Sequence, residues 1–194
     1  MLVLSPILVP LLTAILAVIL RHHQRSQQWL SIAGAATLLL CALGLMDEVG
    51  SGGAVSVALG DWSPPYGIEL VADGLSAVMV LITAGLGLGV LVYQMSATEP
   101  ADESGMLHPL VHGLLAAVSG VLLTADLFNL YVWFELILIT VLGLLVVGGG
   151  LRNQEAAFKY FALNMLGALL FLAAVAMLYG ATGQLNFAGL SEAV

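Results

Sequence analysis

Apolar residues recur along the chain in six long runs, each followed by a short polar or small-residue connection. An α-helix needs about 20 largely apolar residues to cross the hydrocarbon core of a bilayer. The runs are Leu2–Leu20, Trp29–Met46, Leu75–Met95, Leu110–Thr124, Leu127–Val147 and Ala156–Tyr179. The fourth of these, Leu110–Thr124, is short for a membrane crossing unless its helix begins near Met106. This pattern predicts an all-α integral membrane protein with six transmembrane helices, the fourth and fifth forming a tight helical hairpin.

The segment Asp47–Asp73 has a different pattern, in which apolar and polar residues alternate. Short alternating stretches, Val-Ser-Val and Ile-Glu-Leu, flank a Pro-Pro turn, which predicts a β-hairpin between the second and third helices. Trp62 and Tyr66 suit the membrane–water boundary, where such rings are enriched. The sequence indicates no soluble domain beside the membrane-spanning part, so residues 1–194 are interpreted as a single transmembrane domain.

The charge content excludes several functional classes. Only 8% of the residues are charged, against about 25% in soluble proteins, and twelve acids outnumber four bases. Nucleic-acid binding is excluded because it requires clustered Lys and Arg. The single Cys41 has no disulfide partner, and no nucleotide, flavin, haem or metal motif occurs. We therefore expect no cofactor and a transporter subunit rather than an enzyme.

The basic residues predict the orientation in the membrane. Arg21 and Arg25 lie between the first two runs. Arg152 lies between the fifth and sixth runs, and Lys159 lies just inside the sixth. The positive-inside rule makes these connections cytoplasmic, although the segment Glu99–Ser104 on the same side is acidic. The expected protein is a multi-pass cell-membrane protein with an extracytoplasmic β-hairpin and both termini of this chain outside.

Glu135 is the one ionisable residue in the Leu127–Val147 run. An ionised carboxylate at membrane depth costs several kcal/mol unless it is paired, hydrated or protonated. Low dielectric favours the protonated carboxyl and a nearby ammonium favours the ionised one, so a carboxyl balanced between the two can relay protons. The alternative is a hydrogen-bonded structural carboxyl. We interpret Glu135 as the centre of a proton path.

Three further residues are candidates for the cytoplasmic part of that path. His108 and His112 are spaced i, i+4 and project from one helix face; they are candidates for proton uptake, or simply interfacial histidines, and no third metal ligand is evident. Lys159 could serve the relay, extend to the membrane surface, or pair with Glu155 four residues earlier.

Other polar residues could support or extend the path. Asp126 precedes the fifth run, where it could cap the helix or lie on an exit route. Tyr131 lies one turn before Glu135 and could hydrogen-bond to that carboxyl or only pack against it. Asn164 and Ser119 lie inside predicted helices, where they could bind a neighbouring helix or hold a relay water.

Several phrases resemble one family of membrane proteins. They are GDWSPPYGIELVADGLSAVMVLIT, HPLVHGLLAAVSGVLLTADLFNLYVWFELILIT and KYFALNMLGALLFLAAVAMLYGATGQLNFAGLS. Together they resemble the antiporter-like subunits shared by respiratory complex I, membrane-bound hydrogenases and Mrp-type cation/proton antiporters. TADLFNLYVWFE and LYGATGQLNFAGL favour the Mrp D subunits.

The resemblance implies a fourteen-helix fold with two inverted repeats and a central row of Glu, Lys and His that moves protons. Glu135 matches the fifth-helix glutamate of the family, some members have a lysine at the position of Lys159, and the HPL phrase at His108 resembles the Mrp D pattern. The implied partners are protons, a monovalent cation such as sodium, the lipid bilayer and other hydrophobic subunits of one complex.

The chain departs from the family pattern at Val194, before the family's seventh helix and its central lysine. We therefore expect the N-terminal part of such a subunit, whether truncated, split or an incomplete sequence. Two alternatives stay open: a proton-pumping subunit of a complex I-like NADH:quinone oxidoreductase or a hydrogenase, and a structural scaffold that translocates nothing.

Overall fold

The expectation of a mostly helical protein with several apolar helices is confirmed. A computed structural model describes residues 2–61, 67–96 and 104–193. Trp62, Tyr66, the Pro-Pro turn and most of the acidic connection after the third helix lie outside these ranges. The described elements are α1 (Ser5–Ile19), α2 (Gln24–Gly52), β1 (Val55–Ala58), β2 (Glu69–Ala72), α3 (Gly74–Met95), α4 (Leu107–Leu123), α5 (Leu127–Val147), α6 (Leu151–Thr182) and α7 (Phe187–Ala193).

The helix lengths suit a bilayer. Within the described ranges, five helical segments are long and apolar enough to cross a membrane; the first is Leu2–Ile19, in which a short 3-10 helix precedes α1. α4 is shorter than these five segments, with 17 residues. At 1.5 Å per residue α4 is about 26 Å long. The predicted boundary at Asp47 is wrong, because α2 continues to Gly52. Backbone hydrogen bonding does not stop where apolar side chains stop, so α2 extends past its apolar run.

The bundle is built around α4. It packs against α1, α3 and α5, while α6 packs mainly on α5. Its sequence allows this, because small side chains let membrane helices approach closely. Buried small residues of α4 are Gly113, Ala116, Ala117, Ser119 and Gly120. The apolar core beside it includes Val3, Ile7, Leu38, Leu45, Val80, Leu115 and Leu123.

The turn between α4 and α5 is bonded on both sides by backbone hydrogen bonds. β1 and β2 pair antiparallel, and the Ala125 N–H donates to the Glu69 carbonyl of β2 at 3.0 Å. On the other side, the Phe187 N–H donates to the Ala125 carbonyl at 2.9 Å, and the Leu127 N–H donates to the Leu185 carbonyl at 2.9 Å. We call this the hairpin end of the bundle. Chain segments distant in sequence therefore hold the α4–α5 turn in place.

Asp73 begins α3 with a reciprocal cap. Its carboxylate accepts from the Ser76 N–H at 2.8 Å, and the Ser76 hydroxyl accepts from the Asp73 N–H at 2.8 Å. The Ser76 backbone N–H lowers the pKa of the Asp73 carboxyl. Because that pKa is lowered on folding, the ionised cap stabilises the fold above the unfolded-state pKa, and this contribution is lost as pH falls through the folded-state pKa.

Asp73→Ala should therefore lower the free energy of unfolding by about 1 kcal/mol at neutral pH. Thermal unfolding of the purified protein in detergent, measured across a pH series, checks this. The deficit should shrink in acid, and Asp47→Ala, a change at an exposed carboxylate on α2, is the matched control. A deficit that stays constant at all pH values would show that the charge of the cap contributes nothing.

Candidate functional site

Glu135 faces a cavity between α5 and α6. It is the ninth of the 21 residues of α5, which places it about 12 Å along the helix from Leu127 and near the middle of the helix. The cavity has a volume of about 390 Å³. Its lining residues are Tyr131, Phe134, Glu135, Ile137, Leu138, Tyr160, Asn164, Gly167, Ala168 and Phe171. Of the predicted site residues, the structure brings Glu135, Tyr131 and Asn164 together here.

One carboxylate oxygen of Glu135 has no hydrogen-bond partner. Its Oε1 is buried and finds no donor among the residues that the structure describes, although the side chain as a whole is half-buried. Tyr131, one turn earlier, is close enough for a side-chain hydrogen bond to this carboxyl group and for an electrostatic interaction with it. A buried carboxyl oxygen without a donor is costly when it is charged. The site therefore favours a proton, a water or a cationic group beside Glu135.

The other walls of the cavity are aromatic and amide groups. Phe171 of α6 stacks on Tyr131 with ring centroids 6.4 Å apart and meets Phe134 edge-on at 6.3 Å. The Asn164 side-chain amide donates to the Tyr160 carbonyl of its own helix at 2.8 Å. The prediction that Asn164 binds across helices finds no such bond among the described residues. Sequence reasoning missed Tyr160 and Phe171, whose i, i+4 relation to Asn164 and to Gly167 was the available signal.

Lys159 lies away from the cavity. Its ammonium pairs with the Glu155 carboxylate at 2.5 Å, and both side chains are largely exposed, at 72% and 67%. The alternative pairing that the sequence offered is therefore present. Lys159 does not line the Glu135 cavity, although its neighbour Tyr160 does. Its role in a relay stays a prediction.

The two histidines are buried in α4. His108 is 8% exposed and His112 is fully buried. His112 Nε2 lies 3.0 Å from both the hydroxyl and the backbone carbonyl oxygen of Ser31 on α2. His112 therefore lies at the contact between α4 and α2 and makes ordinary hydrogen-bond contacts there, and its role in proton uptake stays a prediction.

This geometry indicates which nitrogen of His112 carries a proton. A carbonyl oxygen only accepts, so Nε2 must donate to Ser31. The neutral ring then has an unprotonated Nδ1, which is buried and has no partner among the described residues. Nδ1 is therefore the atom of His112 that can accept a proton.

A buried glutamine joins α2 to α1 and to the connection before α4. Sequence reasoning did not identify this residue. The Gln27 side-chain amide donates to the Ala17 carbonyl at 2.8 Å and to the Gly105 carbonyl at 2.7 Å. Gly105 has a φ of +69°, and a Cβ there would come 2.5 Å from the Arg21 carbonyl oxygen, so glycine is required. Gln27 and Ser31 are spaced i, i+4 at the start of α2, which was the available signal.

Asp126 caps α5. Its carboxylate accepts from the Asn129 N–H at 2.7 Å, and the Asn129 side chain donates to the Thr124 hydroxyl at 2.9 Å. The capping interpretation of Asp126 is therefore present in the structure. The residue belongs to the hairpin end and does not line the Glu135 cavity.

Comparison with known proteins shows which family this chain resembles. Residues 124–194, which include α5, α6 and the cavity between them, match the profile of the family described as NADH:quinone oxidoreductase/Mrp antiporter, TM. The D subunit of the Na(+)/H(+) antiporter from Bacillus subtilis (strain 168) is 39% identical over 189 residues, covering 97% of this chain and 38% of that protein. The resemblance to the antiporter-like subunits is thereby confirmed.

Two solved structures share the antiporter-like fold. A chain of the Mrp complex from Dietzia sp. DQ12-45-1b superposes with a TM-score of 0.87 at 32% identity, covering 95% of this chain and 35% of that one. A chain of the membrane-bound sulfane sulfur reductase, an archaeal respiratory membrane complex, superposes with a TM-score of 0.92 at 28% identity, covering 98% of this chain and 39% of that one. This chain spans well under half the length of each of these relatives.

Proposed function

We propose that this chain forms a proton-translocating part of an Mrp-type multisubunit antiporter that exchanges a monovalent cation, such as sodium, for protons. The observation that carries this proposal is the Oε1 of Glu135, which is buried at a cavity beside the middle of α5 and has no hydrogen-bond partner in the described part of the chain. The Oε1 atom can take up and release a proton without breaking a hydrogen bond of its own to any described residue. Its partners would be other hydrophobic subunits of the same complex.

The placement of charge supports an orientation with the hairpin end outside. Arg21, Arg25, Arg152 and Lys159 all lie at the opposite end of the bundle, near the α1–α2 and α5–α6 connections. The positive-inside rule then makes that end cytoplasmic. In this orientation the chain crosses the cell membrane six times, and α4 is the shortest crossing.

The relay that we propose runs from the cytoplasmic end towards Glu135. His108 and His112 would take up protons there, with Nδ1 of His112 as the accepting atom, and Lys159 would contribute from the start of α6. Tyr131 and Asn164 would hold water beside the Glu135 carboxyl. Asp126 would support the far end by fixing the start of α5.

A redox-driven pump is the second candidate. The structural match to a respiratory membrane complex supports it, since the same fold there belongs to a reductase assembly. The two candidates differ in their source of energy. An antiporter responds to a cation gradient alone, whereas the pump requires electron transfer in its complex.

Everted membrane vesicles from cells that lack other antiporters and produce the complete complex test the function. A pH gradient is built by ATP hydrolysis, so that no respiratory substrate is present, and NaCl or KCl is then added. We expect collapse of the gradient by at least one of these salts, and no collapse in vesicles without the complex. If neither salt has an effect, and protons move only when a reductant is supplied, the redox pump replaces the antiporter.

A further inference from the structure

The helices α4 and α5 interlock through three glycines. A Cβ on Gly113 would come 2.9 Å from Thr140 Cγ2, and a Cβ on Gly143 would come 2.7 Å from Leu110 Cδ2. A Cβ on Gly120 would overlap the fused rings of Trp133. Each glycine therefore leaves a recess that a side chain of the other helix fills.

The three contacts share one antiparallel register. The contacting pairs, each with the α4 residue first, are Leu110–Gly143, Gly113–Thr140 and Gly120–Trp133. Between the first and second pairs the residue number rises by three on α4 and falls by three on α5. Between the second and third pairs it rises by seven on α4 and falls by seven on α5. A shift of one residue would turn α5 by about 100° and place every one of these side chains against a neighbour larger than glycine. The pair is locked in this register.

The Trp133–Gly120 contact is the most restrictive of the three. Leu110 and Thr140 meet their glycines with methyl groups, which can turn aside, whereas Trp133 meets Gly120 with a rigid fused ring. Trp133 Nε1 is buried and has no acceptor among the described residues, so packing rather than a hydrogen bond holds the ring.

Trp133 and Glu135 lie on opposite sides of α5. They are two residues apart, which is about 200° around the helix axis. Since the indole ring rests on α4, Glu135 faces α6 and the cavity. The rotation that seats Trp133 on Gly120 is therefore the rotation that aims the Glu135 carboxyl.

We propose that Gly120 and Trp133 are positioning residues for Glu135: their contact fixes the rotation of α5 and so the direction of the carboxyl. The proposal rests on the proposed function, in which Glu135 carries the proton. The titratable groups that face Glu135 in the described residues are Tyr131 on α5 and Tyr160 on α6. Rotating α5 would change the distance of the carboxyl from both.

Three variants of the complete complex test this in everted vesicles. Gly120→Ala should lower the exchange rate per assembled complex roughly ten- to a hundredfold, because small displacements of a reacting group have effects of this size. It should also move the pH of half-maximal exchange, which a loss of assembly alone would not do. Trp133→Phe, which removes no hydrogen bond, should likewise move that pH, and the Gly120→Ala/Trp133→Phe double variant should restore rate and pH profile together. Gly85→Ala is the matched control, since a Cβ at that helical glycine meets nothing within 4 Å.

The outcomes separate the proposal from its rivals. If Gly120→Ala matches Gly85→Ala, or lowers only the amount of assembled complex with an unchanged pH profile, the positioning role is refuted. If Gly120→Ala fails to assemble, Trp133→Phe decides. An unchanged exchange rate and pH profile in Trp133→Phe overturns the proposal. A shifted pH profile in Trp133→Phe that returns to the wild-type profile in the Gly120→Ala/Trp133→Phe double variant supports it. Glu135→Gln, measured in parallel, reports on the proposed function itself, because wild-type exchange in that variant would show that Glu135 carries no proton whatever positions it.

Discussion

Replacing Glu135 with Gln should abolish cation/proton exchange by the assembled complex while leaving assembly intact. Gln is nearly isosteric and neutral, so the cavity between α5 and α6 keeps its shape and loses only its titratable carboxyl group. Oε1 has no hydrogen-bond partner among the described residues, so the change breaks no contact of that atom. We expect the exchange rate to fall by more than about a hundredfold, the order expected for loss of a proton-transfer group.

The measurement is the salt-induced collapse of a pH gradient in everted vesicles, normalised to the amount of assembled complex. Glu192→Gln, a change at an exposed carboxylate of α7, is the matched control and should retain exchange. Glu135→Asp should retain part of the activity, because the carboxyl survives but withdraws by one methylene. Wild-type exchange in Glu135→Gln would remove this residue from the mechanism.

The second large effect is expected at His112, where two substitutions separate structure from proton transfer. His112→Ala leaves a cavity at the contact between α4 and α2 and removes the donor to the Ser31 carbonyl, so the amount of assembled complex should fall. His112→Gln offers an amide N–H to the same carbonyl but has no titratable group. We expect His112→Gln to assemble and to exchange at least about tenfold more slowly than wild type.

The amount of assembled complex and the exchange rate per complex are measured together for both variants. His22→Gln, in the exposed α1–α2 turn, is the control. If His112→Gln exchanges at the wild-type rate, the imidazole is a structural anchor between α4 and α2 and takes no part in proton uptake.

The sequence predicted that Tyr131 lies beside Glu135 because both residues belong to one helix. Tyr131 and Glu135 are one turn apart on α5, and this spacing places them on one face before any packing is known. Asp126 was also predictable, since an Asp before an apolar run is a common cap. These inferences need only helical geometry.

The remaining features depend on which helices meet. The sequence offered three roles for Lys159, and the ion pair with Glu155 appears in the structure because the two exposed side chains are spaced i, i+4 on α6. The contact of Ser31 with His112 joins residues 81 apart in the chain. The fit of Trp133 on Gly120 depends on the α4–α5 register. Neither contact follows from local periodicity, because each is fixed by the packing of a second helix.

The hairpin end shows the same limit. The Pro-Pro turn and the alternating residues predicted a β-hairpin; in the structure β1 and β2 pair antiparallel, and the turn itself lies outside the described residues. The bonds that Ala125 makes with Glu69 and Phe187 were not predictable, because they bring together three chain segments separated by long helices. They show that a two-residue connection, which the sequence indicated as a simple turn, is held from both sides.

The central claim is that Glu135 gains and loses a proton within the membrane during exchange. Infrared difference spectroscopy of the complete complex in lipid, recorded with and without the exchanged cation, observes the carboxyl C=O stretch directly. We predict a protonated-carboxyl band that changes when the cation is added and is missing from Glu135→Gln. A difference spectrum that is the same in wild type and Glu135→Gln, recorded while wild-type exchange is active, would contradict it.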